Sequence, residues 1–356
     1  MTARAPRVLL TIDVEEDMPS WKITNPTTTT NAAALPALQK LCNEIGIRPT
    51  YLCNYPPVTQ RDSARIIKTL AKSGRCEIGA HLHPWNTPPY NGIPGRRVDE
   101  TTVAYYMNDL GPALIRPKIA TVTNAIANLV GMSPASFRAG RFGMDGPTLA
   151  VLPEFGYKVD TSVTPLAEHT KDGGPDFRMA PALPYHPSRI DICKPGDVPI
   201  VEIPVSIALT RKVPRSVQNA YIRIPQKIRL RGLLSKDFLN IVDFAWLYPV
   251  RFDLPEMIRA ADTLVASGSP VLNIFYHSSE LVPEMSGAVA TQADADRGIA
   301  RLRGILEYCI QRLGAVPMTL TEAGRECESW IATNSPTQIP HARSATHSKK
   351  ILPRKS

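Results

Sequence analysis

A parallel α/β barrel is the architecture this 356-residue sequence predicts. Short apolar runs bounded by polar residues alternate with helical apolar stripes almost throughout, which is the pattern of strands buried on both faces between helices. Charged or imidazole side chains stand at the C-terminal ends of five of those runs, the rim where a parallel barrel gathers its reactive groups. An apolar content of 43% in a chain of this length is enough for one large buried core.

The elements follow in order. RVLLTID is a continuous apolar run and reads as the first strand. A helix follows, with Leu35, Leu38, Leu41, Cys42 and Ile45 on one stripe, and then the short strand TYLCNY. A second helix from about Ser63 to Lys72 leads into CEIGAHLH. Residues 84–97 are a Pro/Gly-rich loop, and a helical stretch from about Thr101 to Leu129 is expected to break near Pro112 or Pro117. ASFRAG is the next strand, a helix starts near Gly146, and YKVDTSV follows. Between residues 164 and 254 the alternation gives way to a Pro-rich insertion with few elements, PIVEIPVSI being strand-like. PVLNIFYHS resumes the pattern. Ile299, Leu302, Ile305, Leu306, Cys309, Ile310 and Leu313 then mark a helix face before the strand AVPMTL. The barrel is therefore expected over residues 1–330, with 331–356 a basic, Pro-containing disordered tail.

The net charge of +9 is local. Residues 211–236 carry Arg211, Lys212, Arg215, Arg223, Lys227, Arg229, Arg231 and Lys236 without an acid, and the tail adds Arg343, Lys349, Lys350, Arg354 and Lys355. These thirteen cations exceed the net charge, so the rest of the chain, with 28 basic against 32 acidic residues, is slightly acidic. That distribution gives no nucleic-acid footprint. The six cysteines show neither CxxC nor zinc-finger spacing, which excludes a disulfide scaffold and a thiolate metal site and leaves free thiols. No run of eighteen apolar residues occurs and the N-terminus lacks a signal peptide's apolar stretch, so a cytoplasmic protein is expected.

His81 and His83 are two residues apart at a strand end, so both imidazoles point to one side and can meet at one ion. Asp13 and Glu15 share that spacing at the end of the first strand. One of these carboxylates can join the two histidines in a three-ligand set suited to zinc or another divalent ion, while the other takes a proton from an attacking water. A polar turn and a solvated acidic strand end are the plain alternatives for each pair alone. Arg138, in SFRAGRFG, can hold a neighbouring carboxylate ionised, or simply form an ion pair. His277 ends the most apolar strand and is a candidate general acid, with Asp160 a candidate to orient it. His169 and His186, in the insertion, are left unassigned.

TIDVEED, EIGAHLHPW, SFRAGRFG, VDTSV and IFYHSSEL, in that order, resemble the motif series of the NodB-type polysaccharide deacetylases, over about residues 7–325. The resemblance implies an irregular (β/α)7-type barrel and a metal-dependent hydrolase of non-peptide carbon–nitrogen bonds that removes acetyl from an N-acetylated sugar. It implies Asp13 as base, His81 and His83 as metal ligands, Arg138 as the group positioning the base, and Asp160 with His277 as the general-acid pair. Zinc is the expected ion, with cobalt, nickel or manganese as alternatives. HSSEL is similar to a branch associated with bacterial surface polysaccharide and lipopolysaccharide synthesis. Two departures stand out. The second of the family's paired aspartates is replaced by Val14, so Glu15 is expected to take the metal, and the histidines are two rather than four residues apart.

Other readings are an imidase or ureide amidohydrolase of the same fold and a catalytically silent glycan-binding homologue. The basic stretch interleaves Arg229 and Arg231 with Ile228, Leu230 and Leu233, a composition that suits an anionic membrane face or a solvated loop.

Overall fold

A computed structural model describes residues 5–90, 106–210, 220, 223–224 and 243–334. Its centre is a parallel sheet curled into a half-barrel. In chain order the elements are β1 (Arg7–Val14), α1 (Leu35–Ile45), β2 (Thr50–Cys53), α2 (Tyr55–Thr59), α3 (Arg61–Lys72), β3 (Glu77–Leu82), α4 (Pro112–Val130), β4 (Ser136–Ala139), α5 (Gly146–Leu149), β5 (Val159–Asp160), β6 (Val201–Glu202), β7 (Ile207–Leu209), β8 (Phe244–Trp246), α6 (Leu254–Ala266), β9 (Val271–His277), α7 (Gln292–Gln311), β10 (Val316–Pro317) and α8 (Leu320–Thr333). The seven strands β9-β1-β2-β3-β4-β5-β6 run side by side, all parallel, and β10 shares an edge of β1 with β2. The gap between β6 and β9 is bridged by the antiparallel β7–β8 pair and the chain before it. Ser206 N donates to Asn273 O (3.2 Å) and Phe275 N to Leu247 O (3.0 Å).

The alternation of side chains along β1 sets the layers. Val8, Leu10, Ile12 and Val14 face outward onto a core that includes Leu38 and Leu41 of α1, Ile67 of α3 and Leu302, Ile305 and Leu306 of α7. Leu9 faces inward and, with Leu52, Val159, Val201 and Val271, packs on Leu320, Ala323, Cys327 and Ile331 of α8. Further along the same inward row, Thr11 joins Asn273, Thr161 and Arg138 in a buried hydrogen-bonded layer. Beyond it come Asp13 and Glu15. The barrel interior thus passes from apolar to neutral polar to charged toward the C-terminal ends of its strands.

Several expectations change in detail. The long helix begins at Pro112, where a proline in the first turn gives up an N–H that has no helical partner anyway, and it runs through Pro117 without ending there. Its expected start, 101–105, lies outside the described residues. The Pro-rich stretch after residue 164 is not merely an insertion, since it supplies β6, within the strand-like PIVEIPVSI, and both strands of the β7–β8 pair. The final helix continues to Thr333 with Ile331 buried, three residues into the expected tail. All six cysteines are free, four of them buried. No helix among the described residues is long and apolar enough to cross a membrane. Arg229, Arg231 and nearly all of the basic stretch lie outside the described residues, as does the tail from residue 335.

Candidate active site and metal centre

Strand register brings the chemical groups together. In β1 and β9, Asp13 pairs with His277; in β3 and β4, His81 pairs with Arg138. At the end of β3, residues 81 and 83 point to the same side, and their Nε2 atoms face each other at 3.0 Å. Glu15 Oε2 is 3.4 Å from His83 Nε2 and 3.9 Å from His81 Nε2. All three side chains are buried. Gly140 makes room for the His83 ring, since a Cβ there would fall 2.2 Å from its Cδ2.

The other ring nitrogens fix the tautomers. His81 Nδ1 donates to the Arg138 carbonyl (2.9 Å), which can only accept. His83 Nδ1 donates to Glu16 at 2.9 Å and 3.1 Å from its two oxygens. Glu16 is buried, which alone would push its carboxyl up. His83, with hydrogen bonds that include Trp85 Nε1 (2.9 Å), instead brings it down to about 2, so it is ionised. Asn54 Nδ2 also donates to it (3.0 Å), and the Trp85 ring stacks on His83 at 4.1 Å. With both Nδ1–H groups committed, the facing Nε2 atoms present lone pairs to each other unless a proton or a cation lies between them.

The donor set fits a divalent cation. Ligand atoms at about 2.05 Å from a tetrahedral zinc lie about 3.3 Å apart, and the three donor atoms here are separated by 3.0, 3.4 and 3.9 Å, a spread centred near that value. Burial pushes the Glu15 carboxyl up to about 7 despite His277 and His83 nearby, so it lacks a sufficient counter-charge. Burial drives His81 down to about 3, which keeps its imidazole neutral and able to ligate. The carboxylate–histidine pair of Glu16 and His83 is the outer-layer arrangement that orients metal-binding imidazoles.

Asp13 sits beside this group. Its Oδ1 accepts from Arg138 Nη1 (2.7 Å), and its Oδ2 is 4.0 Å from His81 Nε2. Burial would raise its pKa, but Arg138, His81 and His277 more than reverse that and hold it below the ordinary carboxylate value. Arg138 is fully buried and also donates to Thr11 Oγ1 (2.7 Å) and the Thr161 carbonyl (3.0 Å). On the other side, Glu280 accepts from His277 Nδ1 (3.1 Å) and from the His277 backbone N–H (3.1 Å), and Tyr248 donates its hydroxyl to the same carboxylate. Burial would lower the His277 pKa; Glu280 foremost, then Glu15, raise it to about 9, so the ring carries a proton at neutral pH.

No family model matches this chain, and no curated protein does. Solved structures do. A Mycobacterium smegmatis chain assigned as a polysaccharide deacetylase aligns over 92% of each chain with a TM-score of 0.51 and 16% identity. A Parabacteroides distasonis chain assigned as a glycoside hydrolase/deacetylase aligns over 93% of this chain and 73% of that one, with a TM-score of 0.57 and 13% identity. The fold is that of the NodB-type deacetylases. Puue allantoinase has a similar barrel, with a TM-score of 0.50 and 14% identity over 94% of this chain and 93% of that one.

Within the NodB-type fold, Asp13, Glu15, His81, His83, Arg138 and His277 gather at the rim. Asp160 does not join His277. It accepts from Ser162 Oγ (2.9 Å) and Ser162 N (3.1 Å) and shares a hydrogen bond with Glu202, across the strand pair β5–β6. Burial raises the Asp160 carboxyl, and burial together with the neighbouring Asp160 raises Glu202 well above its ordinary value. The carboxylate that orients His277 is Glu280, three residues along the chain. Every polar residue of HSSEL has a partner in this arrangement: Ser278 Oγ accepts from Glu15 N (3.2 Å), and Ser279 Oγ donates to Glu15 Oε1 (3.1 Å). Glu16, Glu280, Trp85, Asn54 and Tyr248 escaped the sequence reading. The run of three acids after Val14 and the acid within HSSEL were the available signals for two of them.

Proposed function

We propose that this chain is a metal-dependent hydrolase of non-peptide carbon–nitrogen bonds that removes acetyl from an N-acetylated sugar in bacterial surface polysaccharide or lipopolysaccharide synthesis. One observation supports it above all: the Glu15, His81 and His83 donor atoms lie within 4.8 Å of one another in a buried group, flanked by an Arg138-held carboxylate and a Glu280-held imidazole. Zinc suits the two imidazoles and one carboxylate best, with cobalt, nickel or manganese as substitutes.

A cation held by Glu15, His81 and His83 would supply Lewis acidity toward the amide carbonyl and make a water molecule easier to ionise. The chain supplies the proton traffic. Asp13, ionised through Arg138, takes a proton from the attacking water. His277, charged and fixed at Nδ1 by Glu280, gives a proton to the departing nitrogen, so that acetate and a free amine result. Glu15 answers the substitution of Val14 for a ligating aspartate: it lies on the same inward row as Asp13, one pleat further along.

The likeness to an allantoinase favours, as a second reading, a cyclic imide or ureide substrate for the same groups. Acetate release from N-acetylhexosamine oligosaccharides, measured against ring opening of imides and ureides, separates the two. Acetate release with no ring opening supports the deacetylase, and the converse replaces it.

A further inference from the structure

Two pairs of consecutive residues hold left-handed backbone conformations at the rim: Ser20 (φ 55°) with Trp21 (φ 58°), and Arg141 (φ 52°) with Phe142 (φ 59°). Bulky residues adopt this conformation rarely and at a cost, and such strain gathers at ligand clamps. The second pair is accounted for by packing, because the Phe142 ring lies 5.3 Å from Phe275 and 5.7 Å from His169. Trp21 is different. Among the described residues it is the aromatic ring in the small set of exposed large hydrophobics, 41% exposed, yet its seat is closely built. It lies edge-on to the His277 ring at 5.5 Å between centroids. Gly287 lies directly beneath it, and a Cβ there would fall 2.0 Å from Trp21 Cδ1 and 2.4 Å from Nε1. The loop carrying it is tied to the Gly287 loop by Met18 N donating to Met285 O (3.0 Å). A half-exposed indole, fixed by its backbone and its glycine seat beside the proposed acid, is a prepared apolar surface.

We propose that Trp21 is the platform on which the sugar ring of the substrate stacks while His277 serves its nitrogen. The inference rests on the deacetylase reading above. In that reaction the departing nitrogen is bonded directly to a ring carbon, and His277 must come within about 3 Å of it. A pyranose stacked by its C–H face on the indole lies about 3.5–4 Å above it. The separation of 5.5 Å between the two rings lets one sugar ring make both contacts.

The test uses the full chain with tetra-N-acetylchitotetraose as probe, read both by acetate release and by calorimetric binding. Trp21→Ala is expected to weaken binding and raise KM on the order of tenfold, with the loss in kcat/KM falling chiefly on KM, and Trp21→Phe to recover most of it. Gly287→Ala, which displaces the indole without removing it, is expected to reproduce the KM defect. If Trp21→Ala binds and turns over like the wild type, the platform is overturned while the deacetylase reading stands. If the wild type binds the tetramer in a Trp21-dependent way but releases no acetate, the platform stands and the hydrolytic reading falls. Neither binding nor acetate release by the wild type overturns both.

Discussion

Replacing Arg138 by methionine should remove about 3–5 kcal/mol of folding stability, a large effect for one residue. The structure sets that size. Arg138 is fully buried, and its partner Asp13 is only 4% exposed at the side chain, so the substitution strands a carboxylate that water cannot reach. Methionine keeps most of the side-chain volume, so the loss reports charge and hydrogen bonding more than a cavity. The carbonyl of Thr161 and the hydroxyl of Thr11 lose donors as well. Urea unfolding of chelator-treated protein at pH 7 reads the difference, with the m-value as a check that the same structure unfolds. A second substitution, Asp13→Asn in the Arg138→Met protein, should restore a good part of the loss by removing the stranded charge. The pH dependence has a defined sign. In the wild type the Asp13 pKa is lowered, so its contribution is present above the unfolded-state pKa and fades as pH falls through the folded value. In Arg138→Met, burial is left to raise that pKa, so the penalty is full at neutral pH and is relieved on acidification. The gap between the two proteins should therefore narrow as pH falls. An Arg138→Met protein within about 1 kcal/mol of the wild type at pH 7 would refute the reasoning.

Further outcomes follow from the same contacts. Glu16→Gln weakens the hold on His83 Nδ1 and should lower metal affinity about 10–100-fold with the fold intact, as read by metal titration; unchanged affinity removes Glu16 from the site. Glu280→Gln takes away the main cause of the raised His277 pKa, so the alkaline fall in the rate profile should move to lower pH, whereas Asp160→Asn should leave that limb in place. If Asp160→Asn shifts the limb and Glu280→Gln does not, the pairing drawn here is wrong. Asp13→Asn should keep the metal and lower turnover by roughly two to four orders of magnitude; loss of the ion instead would exchange the roles of Asp13 and Glu15.

Much of the site was legible because the strands that carry it are read by simple periods. Two-residue spacing put His81 with His83 and Asp13 with Glu15 before any fold was known, and the apolar runs before them fixed their place at strand ends. The pairing of Asp160 with His277 was not legible. Strand order and register, not spacing along the chain, determine that Asp160 meets Glu202 across β5–β6 while Glu280 turns back on His277. Glu16 looked like one more solvated acid, and only the approach of His83, Trp85 and Asn54 from other elements makes it a buried anchor. The short strands β5, β6 and β10 lie within segments read as strands or strand-like, but two residues carry no information on pairing, so the place of PIVEIPVSI beside β5 in the parallel sheet was not legible. The short histidine spacing, which departs from the usual motif, proves compatible with convergence because Gly140 leaves room for the second ring.

Metal content tests the central claim most directly. Elemental analysis of the purified protein, followed by titration of chelator-stripped protein with zinc, should give one divalent ion per chain for the wild type and none for His83→Ala or Glu15→Gln folded to the same extent. A well-folded wild type that neither carries nor takes up a divalent ion would contradict the account.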